Sequence, residues 1–258
     1  MNALSLFSGI GGIDLACEWA GIKTVAFCER EPFPQKVLRK HWPDVPIYDD
    51  VCTLTKARLD ADGIGGAINL IHGGWPCQPF SIAGERRGKE DDRHLWPEVF
   101  RLLQEIQSEW FVGENVAGLI TMELDEVLSN LEGCGYAWET FIIPAFAVNA
   151  PHRRDRIIIV GHLSDSGSIG HQGIERLRED KGKIREWRTR PFRPAPKLFD
   201  DVDWKERARE SGFLGGSDVV PDRMDRIKSL GNAVAPTQIY PILAAIKQID
   251  DMLREESA

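Results

Sequence analysis

Short apolar runs alternating with helical periods predict an α/β protein with a doubly wound, mostly parallel sheet. Two further observations support that class. A glycine-rich stretch, Phe7-Ser8-Gly9-Ile10-Gly11-Gly12, joins the first apolar run to the first helical pattern. The polar residues Ser8, Glu29, Asp50, Cys77 and Glu114 each fall just past a predicted strand. Ligands of such sheets sit beyond the carboxyl ends of the strands, so these residues are expected to converge on one crevice.

The elements follow in order. Residues 3–7 are apolar and form the first strand. Ile13, Leu15, Ala16 and Trp19 give a helical pattern that Gly21 stops. Residues 24–28 form a second strand ending at Glu29, and residues 31–41 a helix. Ile47 and Tyr48 lead into Asp49-Asp50-Val51. Residues 68–71 read as a strand that ends in His72-Gly73-Gly74-Trp75-Pro76-Cys77. Residues 95–106 read as a helix, and 110–112 as a strand ending in Gly113-Glu114-Asn115. A helix over 122–132 and late strands over 141–143 and 157–160 complete the first part. Residues 164–222 are rich in Gly, Arg, Asp and Pro without a period. Regularity returns at 224–230, and Ile239, Leu243, Ile246 and Ile249 mark an amphipathic C-terminal helix.

The 258 residues suit one large domain with a modest insert. We expect a catalytic and cofactor-binding domain over 1–163, a small recognition region over 164–222, and a segment over 223–258 that returns to complete the first. Hydrophobic residues make up 42% and charged residues 28%, enough apolar material for a sizeable core. No apolar run approaches the roughly 20 residues that span a bilayer. The N-terminus has no basic flank and no cleavage-like site, so no signal peptide and a cytoplasmic location are expected.

The cysteines at 17, 28, 52, 77 and 134 are odd in number and lack C-x-x-C spacing. That argues against a disulfide framework and a zinc ribbon, and no metal site is expected. Cys17, Cys28, Cys52 and Cys134 read as core residues; Cys77 has different neighbours. The net charge is −8; a nucleic-acid binder need not be basic overall but should have a basic face, and one stretch supplies it. Residues 170–197 hold nine Lys or Arg against four acids, a local balance of +5, interleaved with Trp187 and Phe192. A solvated face explains such a run too; the aromatics point to phosphate and base contact.

The glycine loop opens a helix whose first N–H groups are unsatisfied, which suits a nucleotide-type cofactor. Glu29 at the next strand end fits a ribose-hydroxyl acceptor, and Asp50 an acceptor from an adenine amino group. A loop carboxylate or helix cap explains either acid alone. Around Cys77, two glycines and two prolines fix the backbone of Gly73-Gly74-Trp75-Pro76-Cys77-Gln78-Pro79-Phe80-Ser81. A thiol held there is activated where cations or a helix terminus favour the thiolate.

Pro76-Cys77-Gln78 with Ser81 resembles the catalytic motif of DNA cytosine C5-methyltransferases of bacterial or phage type. Glu114-Asn115-Val116 resembles their second catalytic motif, His152-x-Arg154-x-Arg156 their Gln-x-Arg-x-Arg motif, and Gly231-Asn232-Ala233-Val234 the motif that closes the cofactor pocket. The matches occur in family order over 4–163 and again at 223–245.

The resemblance implies the sheet of S-adenosylmethionine-dependent methyltransferases and S-adenosylmethionine as cofactor. It implies a cofactor pocket of Phe7, Ser8, Gly9, Ile10, Gly12, Glu29, Asp50, Val51, Pro76, Leu95, Asn232 and Val234. Cys77 is the implied nucleophile, Glu114 the donor to N3 of cytosine, and Arg154 the holder of O2. Arg156 stands with them, or only braces the Glu114 loop. Residues 82–93 resemble the family's mobile catalytic loop.

Duplex DNA is the implied partner, with Ser81, Arg86, Arg87, Lys89, Arg185, Arg188 and Arg190 as DNA-contact candidates. A monomer is expected, acting either beside a companion restriction nuclease or to mask a mobile element's genome. His152 departs from the family's glutamine, the insert of about 60 residues is short, and the motif that ends the recognition region has no clear copy. An RNA methyltransferase of the same fold, a DNA-binding protein without catalysis, and a nicotinamide-dependent oxidoreductase are the rival readings. The last leaves Pro76-Cys77-Gln78 unexplained.

Overall fold

The computed structural model describes residues 1–64, 66, 68–76, 95–148, 154–163, 229 and 233–256. Seven strands, β1 (Asn2–Leu6), β2 (Lys23–Cys28), β3 (Ile47–Tyr48), β4 (Leu70–Gly73), β5 (Trp110–Val116), β6 (Tyr136–Ile143) and β7 (Arg156–Leu163), form one sheet. Their order is β3-β2-β1-β4-β5-β7-β6. The first five in that order run parallel; β7 runs antiparallel to both β5 and β6. The chain winds outward from β1 through β2 to β3, then returns to β4 on the other side of β1. That reversal opens a crevice at the carboxyl ends of β1 and β4.

Side chains alternate between faces with the period of two that a strand imposes. Ile71, Phe111, Ile157 and Ile159 face one core; Leu70, Trp110, Val112 and Ile158 face the other. The first core is closed by α3 (Lys56–Ala61), α4 (Trp96–Ile106) and α6 (Leu124–Gly133), through Leu59, Trp96, Val99, Leu102, Val127 and Leu131. The second is closed by α1 (Gly12–Ala20) and by the C-terminal helix, here α7 (Pro236–Glu256), through Ile13, Cys17, Ile239, Tyr240 and Leu243. Gly21 ends α1 in the left-handed conformation, φ 78°, as its position predicts. α2 (Pro32–His41) opens with proline in its first turn.

One buried residue of α1 is polar. Asp14 accepts from Ser5 Oγ at 3.1 Å and Thr24 Oγ1 at 2.9 Å, and His72 Nε2 lies 3.4 Å from it. Ser5 and His72 occupy the alternation slots that face α1, so the carboxylate is satisfied by the strands it packs on.

Several boundaries differ from expectation. β5 continues to Val116 because β7 pairs with it residue by residue, from Trp110–His162 to Val116–Arg156. Glu114 therefore stands inside a strand, opposite Ile158, not past its end. β4 is shifted to Leu70–Gly73, and β6 starts at Tyr136. The helix expected over 122–132 is two, α5 (Leu119–Met122) and α6, and the six-residue α3 has no counterpart among the predicted elements. Among the described residues, no helix is long and apolar enough to cross a membrane.

Candidate active site

A cavity of about 680 Å³ lies over the carboxyl ends of β1, β2, β4 and β5, the size of a small-ligand site. A smaller pocket adjoins it at the glycine loop, sharing Phe7, Gly9, Gly74, Glu114 and Ala233. Phe7, Gly9, Glu29, Asp50, Val51, Pro76 and Leu95 line the larger space. Ser8, Ile10, Gly12 and Val234 line the smaller. Asn232 lies outside the described residues.

The loop after β1 turns on Phe7 (φ 51°) and Gly9 (φ 55°). Ser8 anchors it to the neighbouring strand, its N–H donating to the Cys28 carbonyl at 3.2 Å. Glu29, only 8% exposed, accepts from Gly9 N–H on Oε2 and from Glu31 N–H on Oε1, both at 2.7 Å. Each oxygen keeps acceptor capacity toward the cavity. Asp50 heads a tight turn, accepting from Cys52 N–H at 2.9 Å.

Close backbone approach explains the glycines. A Cβ on Gly73 would meet the Leu6 carbonyl at 2.4 Å, and one on Gly12 the Val234 carbonyl at 2.4 Å. A Cβ on Gly9 would meet nothing nearer than the Phe7 carbonyl at 4.0 Å, so that face of the loop is open to a ligand.

On the opposite wall stand Glu114 and Arg156. Arg156 Nε lies 2.6 Å from Glu114 Oε1, and both side chains are largely buried. Burial pushes the Glu114 carboxyl above its ordinary value, against the pull of Arg156 and Arg154. Gly74 leaves room for the carboxylate: a Cβ there would meet Glu114 Oε2 at 2.8 Å. Asn115 donates to the Trp75 carbonyl at 3.1 Å and so ties β5 to the segment that leads through Pro76 into Cys77. Trp75 packs against Trp96 and Phe111 beneath it.

Arg154, with φ 30°, donates from Nη2 to the Ala233 carbonyl at 2.9 Å. It is Arg156, not Arg154, that lines the cavity. Cys77 lies outside the described residues, as do the DNA-contact candidates Ser81, Arg86, Arg87, Lys89, Arg185, Arg188 and Arg190.

The other four cysteines keep their protons. Burial raises Cys17 well above the usual thiol value and lifts Cys28 to about 12, with Glu29 and Asp50 adding to it. Cys52 and Cys134 are raised as well, burial again first. Cys52 corrects an expectation: it is exposed, in the turn after Asp50, not in the core. It lines the cavity, as do Arg30, just before α2, and Phe33 and Pro34 in its first turn. The sequence signal for them is the proline-marked helix that starts at Pro32, shortly after Glu29.

The family C-5 cytosine-specific DNA methylase matches residues 1–191. The type II methyltransferase M.PspPI of Psychrobacter sp. (strain TA137) is 34% identical over 170 residues, covering 64% of this chain and 40% of that protein. M.AquIA of Picosynechococcus sp. is 33% identical over 175 residues, covering 62% of this chain and 71% of that protein. Among solved structures, the S. pombe Dnmt2 methyltransferase shares the fold with a TM-score of 0.55 at 23% identity, covering 80% of this chain and 63% of that one. The match spans about two fifths of the length of M.PspPI.

Proposed function

The chain belongs to the family of C-5 cytosine-specific DNA methylases, and from that premise we propose that it methylates carbon 5 of cytosine in DNA, using S-adenosylmethionine, with Cys77 as nucleophile. One observation carries the reading. Glu29 and Asp50 on one wall and the buried Glu114–Arg156 pair on the other share a single cavity, at the backbone segment that runs into Cys77.

The residues present fit the cofactor. Glu29 is braced by two backbone N–H groups and still faces the cavity, which suits a vicinal diol. Asp50 and Val51 offer a carboxylate acceptor and an apolar contact to a purine. The open face at Gly9 admits the rest of the nucleoside. When bound, S-adenosylmethionine supplies an electrophilic methyl group on a sulfonium.

The chain's own residues then have to make carbon 5 nucleophilic. The Cys77 thiolate adds to carbon 6, forming an S–C bond and moving the ring's electron pair toward N3. Glu114, whose raised value favours the protonated form, donates at N3 and neutralises the charge that develops there. Carbon 5 of the resulting enamine is nucleophilic and would accept the methyl group, the S–CH3 bond breaking to leave the thioether. Loss of the carbon 5 proton to a base then expels the Cys77 thiolate, and N3 returns its proton to the Glu114 carboxylate, restoring the ring. The O2 contact expected of Arg154 goes to Arg156 in this reading, because its guanidinium already stands beside Glu114 in the wall. Arg154 holds the closing segment at Ala233 instead. The target atom is stacked inside a duplex, so the base must swing out by about 180° to reach the cavity.

Similarity to type II methyltransferases supports a role in restriction-modification beside a nuclease that reads the same site. Plasmid isolated from cells making the protein is then protected from that nuclease and from no other.

The test is transfer of labelled methyl from S-adenosylmethionine to duplex DNA and to RNA, followed by nucleoside analysis. Label in 5-methyldeoxycytidine, absent with Cys77→Ala, supports the reading. Label confined to RNA replaces DNA as the substrate, and label in neither contradicts the activity.

A further inference from the structure

Asp50 and Val51 stand on a segment with little regular structure of its own. β3 is two residues long, and α3 begins only at Lys56. The turn closes on itself: Thr53 and Leu54 N–H groups donate to the Asp50 carbonyl at 3.2 and 3.1 Å. Those bonds fix the turn's shape but not its place against the cavity.

Its place is set by the burial of Val51 and Leu54 in the core and, from α4, by a side chain that grips the backbone. Arg101 Nη2 donates to the carbonyls of Val51 at 3.0 Å and Leu54 at 2.9 Å. The same guanidinium is held by Glu98 at 2.8 Å through Nε and by Glu105 at 2.7 Å through Nη1. Glu105 turns its second oxygen to the Lys56 N–H at 2.9 Å. Glu98 and Glu105 lie three residues before and four after Arg101, so both carboxylates aim the planar fork from its own helix. α4 starts directly after Leu95, which lines the cavity itself. One helix thus abuts one part of the wall and grips another.

We propose that Arg101 is a positioning residue for the base-binding end of the cavity, and that its hold on residues 51–54 sets selectivity for a 6-amino purine over a 6-oxo purine. The proposal rests on the S-adenosylmethionine reading, in which Asp50 accepts from the adenine amino group. With the turn held, a carboxylate facing an oxo group is left without a donor, and that mismatch is costly only while the turn cannot move away. Releasing the turn weakens the correct contact and relaxes the wrong one together.

The experiment is calorimetric titration of the full chain with S-adenosylhomocysteine and S-inosylhomocysteine, for wild type, Arg101→Ala, Arg101→Lys and Arg254→Ala. Arg254 is the control, since it also pairs with two acids, Glu109 and Asp250, but away from the cavity. Wild type is expected to favour the adenosyl compound. Arg101→Ala should bind that compound about tenfold more weakly, the loss of roughly one well-placed contact, and the inosyl compound about as before. Lysine cannot span two carbonyls and two carboxylates, so Arg101→Lys should fall between, and Arg254→Ala should match wild type.

Unchanged affinities in Arg101→Ala, or equal losses for both compounds, overturn the proposal; equal losses are what a purely structural role gives. A wild type that binds neither compound contradicts the cofactor reading itself.

Discussion

In the proposed mechanism the chemistry turns on Glu114. Burial raises its carboxyl, with Arg156 and Arg154 pulling the other way. In that mechanism the protonated form donates to N3, and its share falls as pH rises through the raised value. Single-turnover methyl transfer should therefore show a decline on the alkaline side that belongs to Glu114, opposed by the gain in Cys77 thiolate. Glu114→Gln should lose that decline and run about 10²-fold slower, the usual worth of a placed proton donor. A decline that persists in the variant assigns it to another group.

Gly74 gives a second test. Its Cβ would press on a carboxylate that Arg156 already holds, 2.8 Å from Oε2 and 3.2 Å from the Glu114 carbonyl. Gly74→Ala should lower the transfer rate about 10²-fold, as misplacement by an ångström does. Its thermal unfolding should stay close to wild type.

At this scale part was legible: the cavity acids Glu29 and Asp50 follow from their places just past strand ends, whereas Glu114 stands inside β5. The pairing of Arg156 with Glu114 was not, because it depends on two strands 40 residues apart coming into register.

Among the elements, β5 and α1 are the informative cases. Gly113 is a poor strand former, and sequence alone ends the strand before it. The antiparallel β7 overrides that local preference and carries Arg156 up to Glu114 in the same stroke. α3 escaped prediction because it is six residues long with one buried side chain, Leu59, too short to show a period.

α1 begins under the C-terminal segment, and the contact is backbone on both sides. Gly12→Ala would drive a methyl into the Val234 carbonyl, which cannot swing aside as a side chain can. Its affinity for S-adenosylhomocysteine, measured by calorimetry, should drop about tenfold, within the range of overpacking costs. Wild-type affinity would mean that the closing segment does not shape the pocket.

The whole molecule depends on a helix from the far end of the chain. α7 supplies Ile239, Tyr240, Leu243 and Ile246 to the core that α1 shares, all buried. At about 1.5–3 kcal/mol for each large apolar side chain, their loss is comparable to a typical folding stability of about 5–15 kcal/mol. A chain ending at residue 235 should therefore fail to give a cooperative denaturant transition by circular dichroism; a sharp transition would show the first part folding alone.

The parallel half of the sheet was readable because each strand is a short apolar run closed by glycine or an acid. The insertion of β7 between β5 and β6 was not, since strand order is fixed by long-range pairing that no local window contains.

In the proposed mechanism Cys77 attacks carbon 6 of cytosine. A duplex carrying 5-fluorocytosine tests it most directly, because fluorine at carbon 5 cannot leave as a proton and the adduct persists. With S-adenosylmethionine present, a denaturant-stable protein–DNA complex is expected, whose digestion gives a cross-linked peptide modified at Cys77. No complex, or a cross-link at the exposed Cys52 that also lines the cavity, would contradict it.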